Sequence, residues 1–85
     1  MVLTIHAFNR ARQRIKEFEK EDFYTIQEVL NLAIKSAQLI HHPNNDRFVG
    51  YSTGKYLICC DRNGHIVSIY FRNLGDYIRW KDELK

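Results

Sequence analysis

Cysteine, proline and glycine are scarce in this chain, and each scarcity excludes something. The 85 residues hold two cysteines, one proline and four glycines. The cysteines are adjacent, Cys59 and Cys60. In a strand such neighbours point to opposite faces, so no ordinary disulfide joins them, and two thiols without ligand spacing make no zinc site. No stretch approaches the run of about 18 apolar residues that a membrane span needs. There is no linker, repeat or low-complexity segment. Charge of one sign is not in excess either: 13 Lys and Arg against 10 Asp and Glu leave a net charge of +3. That balance permits a nucleic-acid partner without demanding one. The expectation is one cytoplasmic domain over residues 1–85, with no metal, no cofactor and no membrane partner.

What the chain does have is apolar and aromatic material, 45% and 13% of its residues, enough to fold without staples. Phe8, Ala11, Ile15 and Phe18 recur at helical steps and predict a first helix over residues 5–19, capped by Thr4. Thr25 and Glu28 read as a capping box, with Tyr24 and Val29 as its hydrophobic staple, opening a second helix. The buried face of that helix is expected to be Ile26, Val29, Leu30, Ala33, Ala37 and Ile40. The run His41-His42-Pro43-Asn44-Asn45-Asp46 is turn chemistry and ends it.

Three strands follow, over residues 47–52, 55–61 and 65–72. Asn63-Gly64 between two apolar runs is the strongest hairpin signal in the chain. Residues 56–60 are apolar on both alternations and predict the middle strand. Strict alternation in the last strand sends Val67, Ile69 and Phe71 one way and Ile66, Ser68 and Tyr70 the other. A short helix from Gly75 or Asp76 to Leu84 closes the chain, with Tyr77, Trp80 and Leu84 on one side. The fold class is α+β: two N-terminal helices packed on a three- or four-stranded antiparallel sheet, plus a short C-terminal helix. The fourth strand applies if residues 38–42 are extended.

Chemistry centres on His6, Arg10 and Arg14, spaced four apart so that each lies one helical turn above the last. An imidazole beside two guanidiniums suits a phosphodiester: neutral His6 takes the 2′-hydroxyl proton of RNA while the arginines hold the phosphate. A plain solvated face, balanced by Glu17 and Glu21, explains the same spacing. A second group is Tyr70 and Arg72, which share a strand face and can stack a base and clamp a phosphate, or form an ordinary surface pair. Arg47 and Lys55 add basic positions in the sheet. His41 and His42 lack a third ligand, and His65 opens a strand facing solvent. Trp80 is either a core plug or, if exposed, a partner anchor.

These residues carry a resemblance. His6-Ala7, Arg10 and Arg14, followed by a helix and short strands ending in Ile66-Val67-Ser68-Ile69-Tyr70, resemble a small bacterial and phage domain family of unknown function with a His-Ala…Arg…Arg signature. That family is in turn similar to the RelE- and BrnT-type toxin ribonucleases. The resemblance covers residues 4–72, is weaker over residues 16–24, and omits the last helix. It implies helices before an antiparallel sheet and metal-independent cleavage of RNA by residues on that sheet. The toxin-like reading is therefore an endoribonuclease or RNA-binding protein. In it His6, Arg14, Tyr70 and Arg72 are catalytic, Arg10, Arg47 and Lys55 bind RNA, and an antitoxin is a possible partner. The competing reading is a non-catalytic phage or mobile-element protein that binds a host protein through its sheet or the Trp80 helix.

Overall fold

The computed structural model describes residues 1–83. Strand β1 (Val2–Leu3) leads into helix α1 (Ile5–Arg14), a 3-10 turn (Lys16–Phe18) and helix α2 (Phe23–Lys35). Four strands follow, β2 (Gln38–His41), β3 (Phe48–Ser52), β4 (Tyr56–Asp61) and β5 (His65–Phe71), and helix α3 (Leu74–Glu83) ends the described chain. The expected end of this helix at Leu84 lies outside the described residues. The five strands make one sheet in the order β1-β5-β4-β3-β2.

The α+β class holds, while the arrangement differs from the sequence expectation in part. A strand precedes the first helix and runs parallel to β5, so the sheet is mixed rather than antiparallel. Two residues are too few to show any period. β1 is held by Val2 N–H donating to Gly64 C=O (2.8 Å) and Thr4 N–H to Ile66 C=O (3.1 Å). Residues 38–41 are extended and pair with β3, supplying the fourth strand.

Thr4 caps α1 as expected, accepting from Ala7 N–H at 3.1 Å. The helix ends at Arg14, not at residue 19, because Ile15 turns extended (φ −114°, ψ 111°). That break points Ile15 and Phe18 both into the core. Arg12 closes the turn by donating from two guanidinium nitrogens to Glu19 C=O (3.1 and 2.9 Å). α2 starts two residues before the expected cap, because Asp22 rather than Thr25 is its N-cap, accepting from Thr25 N–H at 2.7 Å. The buried residues of α2 are Ile26 and Leu30, with Phe23, Ala33 and Ile34 beside them. Tyr24 and Val29, expected as a staple, are exposed instead.

Asn63-Gly64 makes the β4–β5 turn, with Gly64 at φ +89°. This left-handed conformation suits glycine because it has no Cβ. β4 is indeed central, and its two cysteines face opposite ways: Cys60 joins the core under α1 and α2, Cys59 the core under α3. In β5, Ser68 pairs with Cys59 and Ile66 with Cys60, leaving Val67 as an extra residue. This bulge resets the alternation, so Ile66 and Ile69 share one face, while Val67 and Tyr70 share the other.

α3 covers the second face through Trp80, which is fully buried and donates its indole N–H to Cys59 Sγ at 3.1 Å. Trp80 is thus a core plug and no partner anchor. Gly50 lies beneath it: an added Cβ would come within 2.7 Å of Leu57 and 3.0 Å of Trp80. His42 is buried as well. Its Nδ1 accepts from the N–H groups of Asn44 and Asn45, so Nε2 carries the proton and donates to Trp80 C=O at 2.9 Å. One histidine thereby ties the β2–β3 loop to the last turn of α3. No helix among the described residues is long and apolar enough to cross a membrane.

Candidate functional site

α1 runs along the outer edge of β5, beyond the point where β1 stops pairing. Its Ala7 and Ala11 are fully buried, and the row of His6, Arg10 and Arg14 runs along the flank beside them, drifting toward the buried stripe from exposed His6 to half-buried Arg14. His6 and Arg10 line a cleft of about 580 Å³ together with Thr4, Phe48, Val67, Ser68, Tyr70 and Glu83. The bulge at Val67 lets Val67, Ser68 and Tyr70 all line this cleft. Glu83 reaches it from the end of α3.

Tyr70 forms the floor. It is buried, and its hydroxyl donates to Glu83 Oε2 at 2.7 Å. Burial pushes the phenol up to about 12, the Glu83 carboxylate adds to this, and Ser68 opposes it. The phenol therefore stays protonated through the neutral range. It can donate a hydrogen bond, and its buried ring offers no free face on which a base could stack.

Arg14 is tied down. Its guanidinium lies 5.0 Å from the Tyr70 ring centroid and donates to Ile69 C=O at 2.7 Å. Ile69 lies beyond the stretch of β5 that β1 covers, so the arginine takes the place of a neighbouring strand at this carbonyl. Arg14 thereby joins α1 to β5 and lies over the Tyr70 ring.

The remaining candidates do not converge here. Arg72, two residues past Tyr70, turns away: its guanidinium donates to Thr53 C=O at 3.0 Å in the β3–β4 turn. It lines a separate cavity of about 380 Å³ by the start of α3. Arg72 is thus not brought to the cleft that His6 lines. Lys55 is exposed in that same β3–β4 turn. Arg47 lines a third depression, with Asp61 and Arg62, that shares only Phe48 with the cleft. His65 is not simply solvent-facing, since its Nδ1 sits 3.1 Å from Asp61 Oδ2.

Two residues of the cleft escaped the sequence reading. Ser68 looked like an ordinary alternation position. Glu83 lies in the last turn of a helix 77 positions from His6, and no local signal links the two. Among the described residues no group of three His, Cys, Asp or Glu is placed to hold a metal. Neither cysteine is reactive in kind: both are fully buried, and burial pushes each thiol up to about 12. Compared with known proteins, the chain matches no family model, and no curated protein or solved structure matches it.

Proposed function

We propose that the cleft between α1, β5 and the end of α3 binds the sugar–phosphate backbone of RNA and cleaves it without a metal, as do the toxin ribonucleases to which the resembled domain family is similar, but with the proton acceptor and the phosphate donor on helix α1 rather than on the sheet. The observation that carries this reading is the meeting of His6 and Arg10 over the Tyr70–Glu83 pair in one cleft. Arg10 offers a forked donor for the phosphate oxygens. His6 takes the proton of the 2′-hydroxyl as the 2′-oxygen bonds to phosphorus. The bond to the 5′-oxygen then breaks, and that oxygen leaves with a proton from water. The products are a 2′,3′-cyclic phosphate and a 5′-hydroxyl. Tyr70 and Arg14 keep the wall of the cleft in place.

The test is a labelled single-stranded RNA incubated with the purified protein in a chelator, beside the same RNA carrying one 2′-deoxy position. Cleavage that ends in a cyclic phosphate and spares the deoxy position supports the reading. His6→Ala should slow it by about 10²–10⁴-fold, the usual contribution of a general base. No cleavage by the wild-type protein at micromolar concentration sinks it.

A further inference from the structure

The second cavity, about 380 Å³, lies by the start of α3 and shares no lining residue with the cleft. Its walls are apolar, built from Ile40, Leu57, Phe71, Leu74 and Tyr77. Ordinary small-molecule sites have this size and this lining, with a few polar groups that fix the ligand. Among the described residues that line the cavity, the only formal charge is that of Arg72.

Ser52 is the polar group that asks for a ligand. The residue is only 7% exposed, yet its hydroxyl makes no hydrogen bond to another described residue. Every fully enclosed side-chain polar atom of the described chain has a partner, so this unpaired hydroxyl opens on the cavity that Ser52 lines. Arg72 stands at the same end. Its Nη1 donates at 3.0 Å to the C=O of Thr53, the residue after Ser52. That bond uses one of the five guanidinium N–H groups. Asn73, also in the lining, has its Oδ1 occupied by the Asp76 N–H at 2.8 Å, which leaves its amide nitrogen as a donor. The Asp76 carboxylate is itself engaged, by Phe71 N–H at 2.8 Å and by Arg79 at 3.5 Å.

We propose that this cavity binds a small organic monocarboxylate with an apolar body. The carboxylate accepts from the Arg72 guanidinium and the Ser52 hydroxyl, and the body lies against Leu57, Leu74 and Tyr77. The polar lining offers donors and one positive charge, so the head group that completes it is an anion. One guanidinium balances one negative charge, which suits a carboxylate better than a phosphate monoester carrying about −1.5 to −2. Because Ser52 is almost wholly buried, only a slender group reaches its hydroxyl, so the occupant is a small molecule and not the face of another macromolecule. At about 30 Å³ for each heavy atom, the volume of a water molecule in the liquid, the cavity holds about a dozen. The site stands apart from the cleft and does not depend on cleavage of RNA.

The test titrates phenylbutyrate into the isotope-labelled protein and follows the backbone amide resonances. Phenylbutanol, which keeps the body without the charge, and acetate, which keeps the head without the body, are titrated beside it. The expected result is saturable shifts at residues 52–57 and 71–78, with a dissociation constant below about 1 mM, within reach of a ligand of this size. Both controls should bind at least tenfold more weakly. Arg72→Met should weaken phenylbutyrate at least tenfold, as loss of a charged hydrogen bond does. Ser52→Ala should weaken it about two- to tenfold and leave the thermal midpoint unchanged or raised, since the hydroxyl it removes has no partner. Absence of saturable shifts up to about 10 mM overturns the proposal. So does phenylbutanol binding as tightly as the acid, a comparison on the wild type that needs no variant to fold. Full affinity in a folded Arg72→Met, a lowered midpoint in Ser52→Ala, or shifts centred on His6 and Arg10 overturn it as well.

Discussion

On one face of the sheet, two helices lay down a broad aliphatic layer that includes Ala7, Ala11, Ile15, Ile26 and Leu30 against Ile58, Ile66 and Ile69. On the other, one short helix holds on through Trp80, over Gly50, Leu57 and Cys59. The first layer spreads its burial over many side chains of similar size. The second concentrates it in one indole and the polar clasp of His42. The distributed face can lose a methylene and repack, whereas the concentrated face depends on a single residue. The cleft takes Glu83 from that second face, so the site is coupled to the less redundant half of the core.

Removing Trp80 should break the comparison most sharply. Trp80→Ala is expected to cost about 3–5 kcal/mol. In native-state amide exchange, α3 and the loop at residues 42–45 should lose protection before α1 and α2 do. Leu30→Ala, on the distributed face, should cost about 2–5 kcal/mol and lower protection across the molecule. Equal loss in all helices for both variants would show that the two faces open together.

Cys59 and Cys60 test whether the two faces are equally closed. Each thiol is pushed up to about 12, chiefly by burial. Because the thiolate is the nucleophile, neither should react with a disulfide reagent at pH 8 until the protein unfolds, and then both should react. A single fast-reacting thiol would mark the face that opens first, and Cys59 under α3 is the expected one.

The two tied arginines give a smaller contrast. Arg14→Ala leaves the Ile69 carbonyl without its donor in a partly buried setting, so it should lower stability by about 1–3 kcal/mol. Arg72 is exposed and bonds the Thr53 carbonyl in a turn; its loss should cost about 0–1 kcal/mol, as for other exposed charge-assisted contacts. Urea midpoints at constant slope would check both, and equal values would remove the distinction.

The smallest effect concerns pH. Burial pushes the Asp61 carboxyl up, but the N–H groups of His65 and Asn63 and the neighbouring imidazole outweigh it and hold it below its usual range. A carboxyl lowered in the folded state contributes stability that is present above its unfolded value, about 3.9, and lost as pH falls through the folded value. The thermal midpoint should therefore drop between pH 5 and pH 3 in the wild type. That drop should be shallower in Asp61→Asn.

Much of the local structure was legible from neighbouring residues. The Thr4 cap, the Asn63-Gly64 turn, the doubly apolar middle strand and the opposed cysteines each follow from contacts within a few positions. The misreadings occurred where distant contacts decided between local options. The first helix stops at Arg14 because Ile15 and Phe18 both find room in the core. Asp22 takes the cap that Thr25 also suited. Ile40 leaves the helical stripe to pair with Gly50.

For the site, the spacing of His6, Arg10 and Arg14 by itself determined that they share one flank of a helix, because 3.6 residues per turn leaves no other outcome once Ala7 and Ala11 are buried. Only the tertiary structure decided what that flank faces. Pairing of β1 with β5 sets α1 along the open edge, the bulge at Val67 lets Ser68 and Tyr70 line the cleft, and the docking of Trp80 carries Glu83 to the Tyr70 hydroxyl. Spacing along the chain records periodicity. Convergence across 77 residues depends on how separate elements pack, which is set by the shape and burial of the whole core.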